Sequence, residues 1–157
     1  MININFVGET REITECVEIL SQKMCFKQSS AGICVRISKR DKGGFKLKGR
    51  DGSYSICYGI IPDFCRALCF LTDYLNRGEN TFIEEEERLI SKGGIMADVS
   101  RNAVLTVESC KDIISRIARM GMDTFMLYME DTYKMEEYPY FGYMRGAYAK
   151  EELKEID

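Results

Sequence analysis

Hydrophobic positions in this chain alternate with a period of two in some stretches and recur with a helical period in others, and each change of period marks a new element. Ile2, Ile4 and Phe6 alternate with Asn3 and Asn5, the pattern of a half-buried strand. Ile13, Cys16, Val17, Leu20 and Met24 then recur along one helical face, with Thr10 as the expected cap and Lys23-Met24 as the end. Over residues 32–38, Ile33, Val35 and Ile37 alternate with Cys34, Arg36 and Ser38, which predicts the next strand. Arg40-Asp41-Lys42-Gly43-Gly44 reads as a turn, after which Phe45 and Leu47 alternate with Lys46 and Lys48. Asp51-Gly52 marks a tight hairpin into Tyr54, Ile56 and Tyr58, so three antiparallel strands in sequence are expected. Pro62 and Asp63 suit the first turn of a helix with Phe64, Ala67, Leu68, Leu71, Tyr74 and Leu75 on its apolar face, closed by Gly78. That helix should cover one face of the sheet.

Thr81-Phe82-Ile83 leads into four successive glutamates, Glu84 to Glu87. Charge on an edge strand discourages mispairing, so a solvated edge strand or loop is the reading. A metal site there is disfavoured, because successive strand side chains point to opposite faces. Ser91-Lys92-Gly93-Gly94 reads as a linker between two domains, residues 1–93 and 94–157. The first is a small α/β domain with a mainly antiparallel sheet and covering helices. Beyond the linker, Gly94-Ile95-Met96-Ala97-Asp98-Val99-Ser100-Arg101-Asn102, a helix from about Val107 to Met120 closed by Gly121, and the apolar run from Thr124 to Met129 predict strand, helix, strand. Two parallel strands joined by a crossover helix need about this spacing. In α/β folds, chemistry collects at the carboxyl ends of such strands. Those ends carry Asp98, Ser100 and Arg101, then Glu130 and Asp131. Residues 132–148 form a long connection rich in aromatic side chains, Tyr133, Tyr138, Tyr140, Phe141, Tyr143 and Tyr148 among them, and connections that long tend to be functional. A last helix begins after Tyr148 and stops at Asp157 with nothing beyond to cap it, so the chain reads as the front of a longer protein.

Composition narrows the function classes. A formal charge of −3, with acidic and basic residues interleaved, offers no basic stripe for nucleic acid or an anionic membrane, and neither partner is expected. Seven cysteines occur without a C-x-x-C, and there is no histidine, which disfavours zinc; no cofactor or metal is expected. Most of these cysteines occupy apolar positions, Cys65 and Cys69 one helical turn apart among them, where a thiol behaves as a small hydrophobe. They point to a reducing compartment, as does an N-terminus without an export signal, and a cytoplasmic location is expected. No apolar run approaches the ~20 residues of a membrane-spanning helix. Read by pattern alone, Arg101 could form an ordinary ion pair with Asp98 or Glu108, and Glu130-Asp131 could be a helix cap or a turn.

Met96-Ala97-Asp98-Val99-Ser100-Arg101-Asn102-Ala103-Val104, Met120-Gly121-Met122-Asp123 and Leu127-Tyr128-Met129-Glu130-Asp131-Thr132-Tyr133 together resemble the start of the catalytic barrel of glycoside hydrolase family 20, the β-N-acetylhexosaminidases. Glu137-Tyr138-Pro139-Tyr140-Phe141-Gly142-Tyr143-Met144-Arg145-Gly146 resembles the first long loop of a bacterial branch of that family. Residues 52–75 are similar in pattern to the end of the small α/β domain that precedes the barrel. The resemblance implies the β-α-β start of a TIM (β/α)8 barrel after residue 93. It implies that the whole protein is a glycosidase removing terminal β-linked N-acetylhexosamine, in a retaining reaction where the sugar's own acetamido oxygen is the nucleophile. Its partner would be an N-acetylhexosamine-containing glycan. Arg101 falls on the family's first-strand arginine, which holds hydroxyls of the terminal sugar; a fixed fork of donors suits two neighbouring hydroxyls. Glu130 and Asp131 fall where the family places acidic residues supporting the sugar site. The aromatic loop would either stack on sugar faces or close as a locally packed Ω-loop.

The family's catalytic Asp-Glu pair lies on the fourth barrel strand, and the 64 residues after Gly93 end after the second, whereas a complete barrel needs roughly 250. The 157 residues alone are therefore expected to be an inactive N-terminal fragment. The alternative is a non-catalytic interaction module built from a truncated hexosaminidase, forming a homo-oligomer through the incomplete barrel.

Overall fold

The first strand turns its residues as the alternation requires. In the computed structural model, which describes residues 1–101 and 103–157, β1 (Ile2–Gly8) buries Ile4 and Phe6 and leaves Asn3 and Asn5 outside the core. Asn102, the last residue of the stretch read from Gly94, lies outside the described residues. Contacts divide the chain into two compact units, one of Met1–Ser91 with Ala118–Met122 and one of Lys92–Ile117 with Asp123–Asp157.

In the first unit, a single 3-10 turn over Arg11–Ile13 leads into α1 (Thr14–Lys23). Thr10 does not cap this helix through its side chain; its carbonyl accepts the Thr14 hydroxyl at 3.0 Å and the Ile13 N–H at 3.1 Å, so the chain tightens into the helix instead. The strands β2 (Phe26–Gln28), β3 (Ile33–Lys39), β4 (Gly44–Arg50) and β5 (Ser53–Tyr58) follow, then α2 (Ile61–Asn76) and β6 (Phe82–Glu87). They form one sheet in the order β2-β1-β3-β5-β4-β6.

This sheet is mixed rather than mainly antiparallel. β4 and β5 make the expected hairpin, with Asp51 and Gly52 both at positive φ, the geometry that matches the twist of a two-residue turn. β3, however, pairs in parallel with β5 and not with β4, and β1 is parallel to both β2 and β3. The connection at residues 40–43 spans two strand spacings, about 10 Å, and β5 fills the slot so left. Alternation along β3 and β4 is the same whether or not they are neighbours, so pattern alone could not separate the two arrangements.

One face of the sheet carries the core. Cross-strand register lines up Phe6 with Val35 and Tyr54, and Ile37 with Ile56 and Leu47, all buried. Ile13, Val17 and Leu20 of the first helical segment and Phe64, Leu68 and Leu71 of α2 complete this cluster. Phe64 meets Phe6 edge-on at 6.0 Å and Tyr58 at 5.5 Å between ring centres. Gly49 faces Phe82 across the ladder, and a Cβ there would lie 2.5 Å from the ring, so the glycine makes room for a stack of Tyr54, Phe82 and Tyr74.

The glutamate run is an edge strand, and its side chains divide between the two faces. Glu84 accepts the Tyr74 hydroxyl and Glu86 forms a forked pair with Arg66, both on the α2 side. Glu85, on the opposite face, meets Lys46 at 2.6 Å and Arg40 at 3.8 Å.

Asp63 is 4% exposed, and its carboxylate joins three segments. It accepts the Ile60 N–H at 3.1 Å, at the start of α2, and the Gly44 N–H at 2.8 Å, at the start of β4. Arg88, just past β6, donates to its other oxygen from Nε at 3.1 Å and Nη2 at 2.8 Å.

In the second unit, β7 (Gly94–Asp98) pairs in parallel with β8 (Thr124–Tyr128), from Gly94 opposite Thr124 to Asp98 opposite Tyr128. Between them runs α3 (Val107–Arg119), opened by the Thr106 hydroxyl accepting the Ser109 N–H at 3.1 Å. The short α4 (Lys150–Ile156) closes the chain, with Glu152 accepting the Ala149 N–H at 2.7 Å. Among the described residues no helix is long and apolar enough to cross a membrane.

Asp63→Ala leaves Arg88 without its buried partner and frees two backbone donors. A loss of about 3–5 kcal/mol is expected, measured as a fall in the urea midpoint; a loss under about 1 kcal/mol would reduce the cluster to an ordinary surface pair.

Candidate functional site

The parallel pair continues one step past β7, where the Val99 N–H donates to the Tyr128 carbonyl at 3.0 Å. Val99 and Ser100 are fully buried, so the chain turns sharply here and the polar groups gather at the carboxyl ends of β7 and β8. Asp98 fixes the turn: its carboxylate accepts the Ser100 N–H at 2.9 Å and the Ser100 hydroxyl at 2.6 Å. The two bonds from Ser100, and then the nearby charge of Arg101, hold the Asp98 carboxyl below the usual aspartate range.

Two of the residues singled out in the sequence meet directly. Arg101 Nη2 lies 3.2 Å from Glu130 Oε1, and the Arg101 side chain is 70% exposed, leaving most of its donor fork open to solvent. Asp131 turns elsewhere. Its Oδ2 sits 3.3 Å from Arg145 Nε, while its Oδ1 is buried with no hydrogen-bond partner among the described residues, as is the neighbouring Thr132 hydroxyl.

Arg145 is the residue that sequence reasoning missed. Its Nη1 donates to the carbonyls of Ser100 and Arg101, at 2.9 Å each, so one guanidinium ties Asp131 to the backbone carrying Arg101. The only signal was an arginine near the end of an aromatic loop, which by itself assigns no role.

The aromatic loop closes on itself, as an Ω-loop does. The Tyr148 N–H donates to the Thr132 carbonyl at 2.8 Å and the Lys134 N–H to the Tyr148 carbonyl at 2.9 Å, so the two ends of the segment are paired. Tyr148 is buried; its hydroxyl donates to the Leu105 carbonyl at 2.5 Å and lies 3.7 Å from the Cys110 sulfur. Burial, and then the contact with Cys110, push its phenol well above the usual range. Gly142 has φ +70°, and a Cβ there would lie 2.2 Å from the Asp131 carbonyl oxygen, so only glycine lets the loop approach the strand end so closely. Tyr138, Tyr140 and Tyr143 remain exposed, with Tyr140 and Tyr143 edge to face at 6.2 Å.

No sequence-family model matches the chain, and no curated protein sequence matches it. Solved structures do. The exo-β-N-acetylglucosaminidase of glycoside hydrolase family 20 from Vibrio harveyi, in complex with N-acetylglucosamine, superposes over 99% of this chain with a TM-score of 0.75 at 18% identity. The fold is that of the N-terminal part of a family 20 hexosaminidase. The β-N-acetylhexosaminidase of Bacteroides fragilis gives a TM-score of 0.71 at 14% identity, and a mutant Streptomyces plicatus β-hexosaminidase in complex with its product GlcNAc gives 0.70 at 18%, each over 99% of this chain. The chain spans 30%, 37% and 38% of the lengths of these three hexosaminidase chains.

Two outcomes test this geometry. Arg145→Ala should speed hydrogen exchange at the Lys134 and Tyr148 amides by tenfold or more, roughly the 1.4 kcal/mol expected for a lost charge-assisted bond in a part-exposed setting; unchanged exchange would detach Arg145 from the closure of the loop. Because its folded value is depressed, Asp98 contributes stability above the ordinary aspartate range, and that contribution disappears as pH falls through the folded value. Ser100→Ala should raise the Asp98 titration midpoint toward that of an ordinary aspartate in carboxyl-resolved NMR.

Proposed function

We propose that these 157 residues supply the N-terminal α/β domain and the first two strands of the barrel of a β-N-acetylhexosaminidase. The observation that carries the reading is the Arg101–Glu130 pair, set at the carboxyl ends of two adjacent parallel strands in a chain whose fold neighbours include hexosaminidases holding N-acetylglucosamine or GlcNAc. The open fork of Arg101 donates to two neighbouring hydroxyls of the terminal sugar, and Glu130 fixes the direction of the fork. Arg145 ties Asp131 to the backbone that carries Arg101, so Asp131 steadies the site from behind. The exposed rings of the aromatic loop offer flat apolar surface with polar handles, suited to the face of a sugar. Hydrolysis needs the acid and the acetamido-orienting carboxylate that the family carries on a later strand, so the 157 residues alone bind part of the substrate and do not cleave it. Seven free cysteines, two of them buried, accord with a reducing, cytoplasmic setting.

A second reading has its own support. Met96, Met126 and Tyr128 lie on one face of the β7–β8 pair and are 62%, 53% and 47% exposed, an apolar surface that needs a cover. Further barrel strands would provide it, and so would a second copy of the chain in a non-catalytic assembly.

The deciding experiment compares hydrolysis of a chromogenic N-acetylglucosaminide by the 157-residue chain with hydrolysis by the same chain extended through the rest of its reading frame. Activity only in the extended protein is expected, with Arg101→Ala lowering kcat/KM roughly ten- to hundredfold for the loss of a charge-assisted donor pair. An inactive extended protein, together with a dimeric mass of the 157-residue chain in sedimentation, would favour the second reading.

A further inference from the structure

The first unit holds one pair of nucleophilic side chains in contact. Cys16 of α1 and Cys65 of α2 bring their sulfurs to 3.2 Å across 49 positions of sequence. A disulfide bond measures about 2.05 Å, so joining them asks for a closure of little more than 1 Å. Their exposures differ: Cys65 is buried and Cys16 only partly so, which makes Cys16 the less enclosed residue of the pair. The other thiols are placed differently. Cys57 donates to the Lys39 carbonyl at 3.6 Å, Cys25 and Cys34 are exposed, Cys69 lies one turn of α2 beyond Cys65 and is partly buried, and Cys110 lies against Tyr148.

The contact also divides the roles. The contact between the two sulfurs lowers the Cys16 thiol below its usual range, while that same contact and then burial push Cys65 up. A thiolate is thus favoured at the partly buried position and a thiol at the buried one.

We propose that Cys16 and Cys65 form a thiol–disulfide exchange site for low-molecular-weight disulfides, Cys16 attacking and Cys65 resolving. The Cys16 thiolate attacks one sulfur of the small disulfide; that S–S bond breaks, one thiolate leaves with the electron pair, and Cys16 carries the other half as a mixed disulfide. Cys65 gives its proton to the departing thiolate as its sulfur attacks Cys16, the second half leaves, and the intramolecular bond closes. Two protein thiols are oxidised and one small disulfide is reduced to two thiols. The bond links α1 to α2, both of which contribute to the same core cluster. By closing a loop of this length it restricts the unfolded chain more than the folded one.

The test is incubation of the 157-residue chain with oxidised glutathione, followed by alkylation, intact mass and peptide mapping. The wild-type chain should lose two hydrogens, yield a peptide joining Cys16 to Cys65, and unfold at a higher temperature until dithiothreitol restores the reduced value. Cys65→Ala should stop at one glutathionyl group on Cys16, and Cys16→Ser should yield no linked peptide and no adduct at Cys65. A stable adduct on Cys16 of the wild-type chain without the linked peptide, or Cys65 joined to another cysteine, would overturn the proposal. Should Cys65→Ala not fold, the wild-type map and Cys16→Ser decide the matter by themselves.

Discussion

A single buried carboxylate sets the geometry of the first unit. Asp63 accepts from the first residue of β4, from the residue preceding α2, and from Arg88 where the chain leaves β6. Burying that charge is costly unless every lone pair finds a donor, and here two backbone N–H groups and a guanidinium fork supply them. The start of β4 is thereby fixed against the start of α2. That contact holds one end of the hairpin against the helix, in a sheet where β5 lies between β3 and β4.

Local periodicity carried much of the fold in advance. Ile4 and Phe6, Val35 and Ile37, and the wide face of α2 all sit where their spacing places them, because one buried face imposes the period directly. Asp51-Gly52 likewise encodes its own turn. The neighbour relations of the strands did not show, since β3 and β4 are joined by a short link and alternate in the same sense whether or not they pair. β2 escaped because three residues are too few to establish a period. Asp63 showed itself only as a first-turn residue; its tie to Arg88, 25 positions away, is a tertiary fact.

The same division runs through the candidate site. Arg101 and Glu130 could be picked out because each follows a short apolar strand, and strand ends are local features. That their side chains meet at 3.2 Å depends on the register of β7 against β8. Arg145 was invisible for a stronger reason. Its partners, the Ser100 and Arg101 carbonyls and Asp131, come within reach only after the loop has folded back, and that path depends on the left-handed Gly142 and on a buried tyrosine at the loop's end. The distances place Arg101 and Asp131 in separate pairs joined through one guanidinium, an arrangement that neighbouring positions in a sequence do not express.

Among the described residues β6 pairs on one side only, and its other edge is where a foreign strand could add. Its acids are shared between the two faces: Glu84 and Glu86 are engaged by α2, whereas Glu85 is held on the other face by Lys46 and Arg40. A second β6 laid against this edge would set carboxylates opposite carboxylates on both faces at once, with the nearest cations already committed within each molecule. The sheet thus terminates by mutual repulsion of like with like: its border admits solvent and refuses its own image.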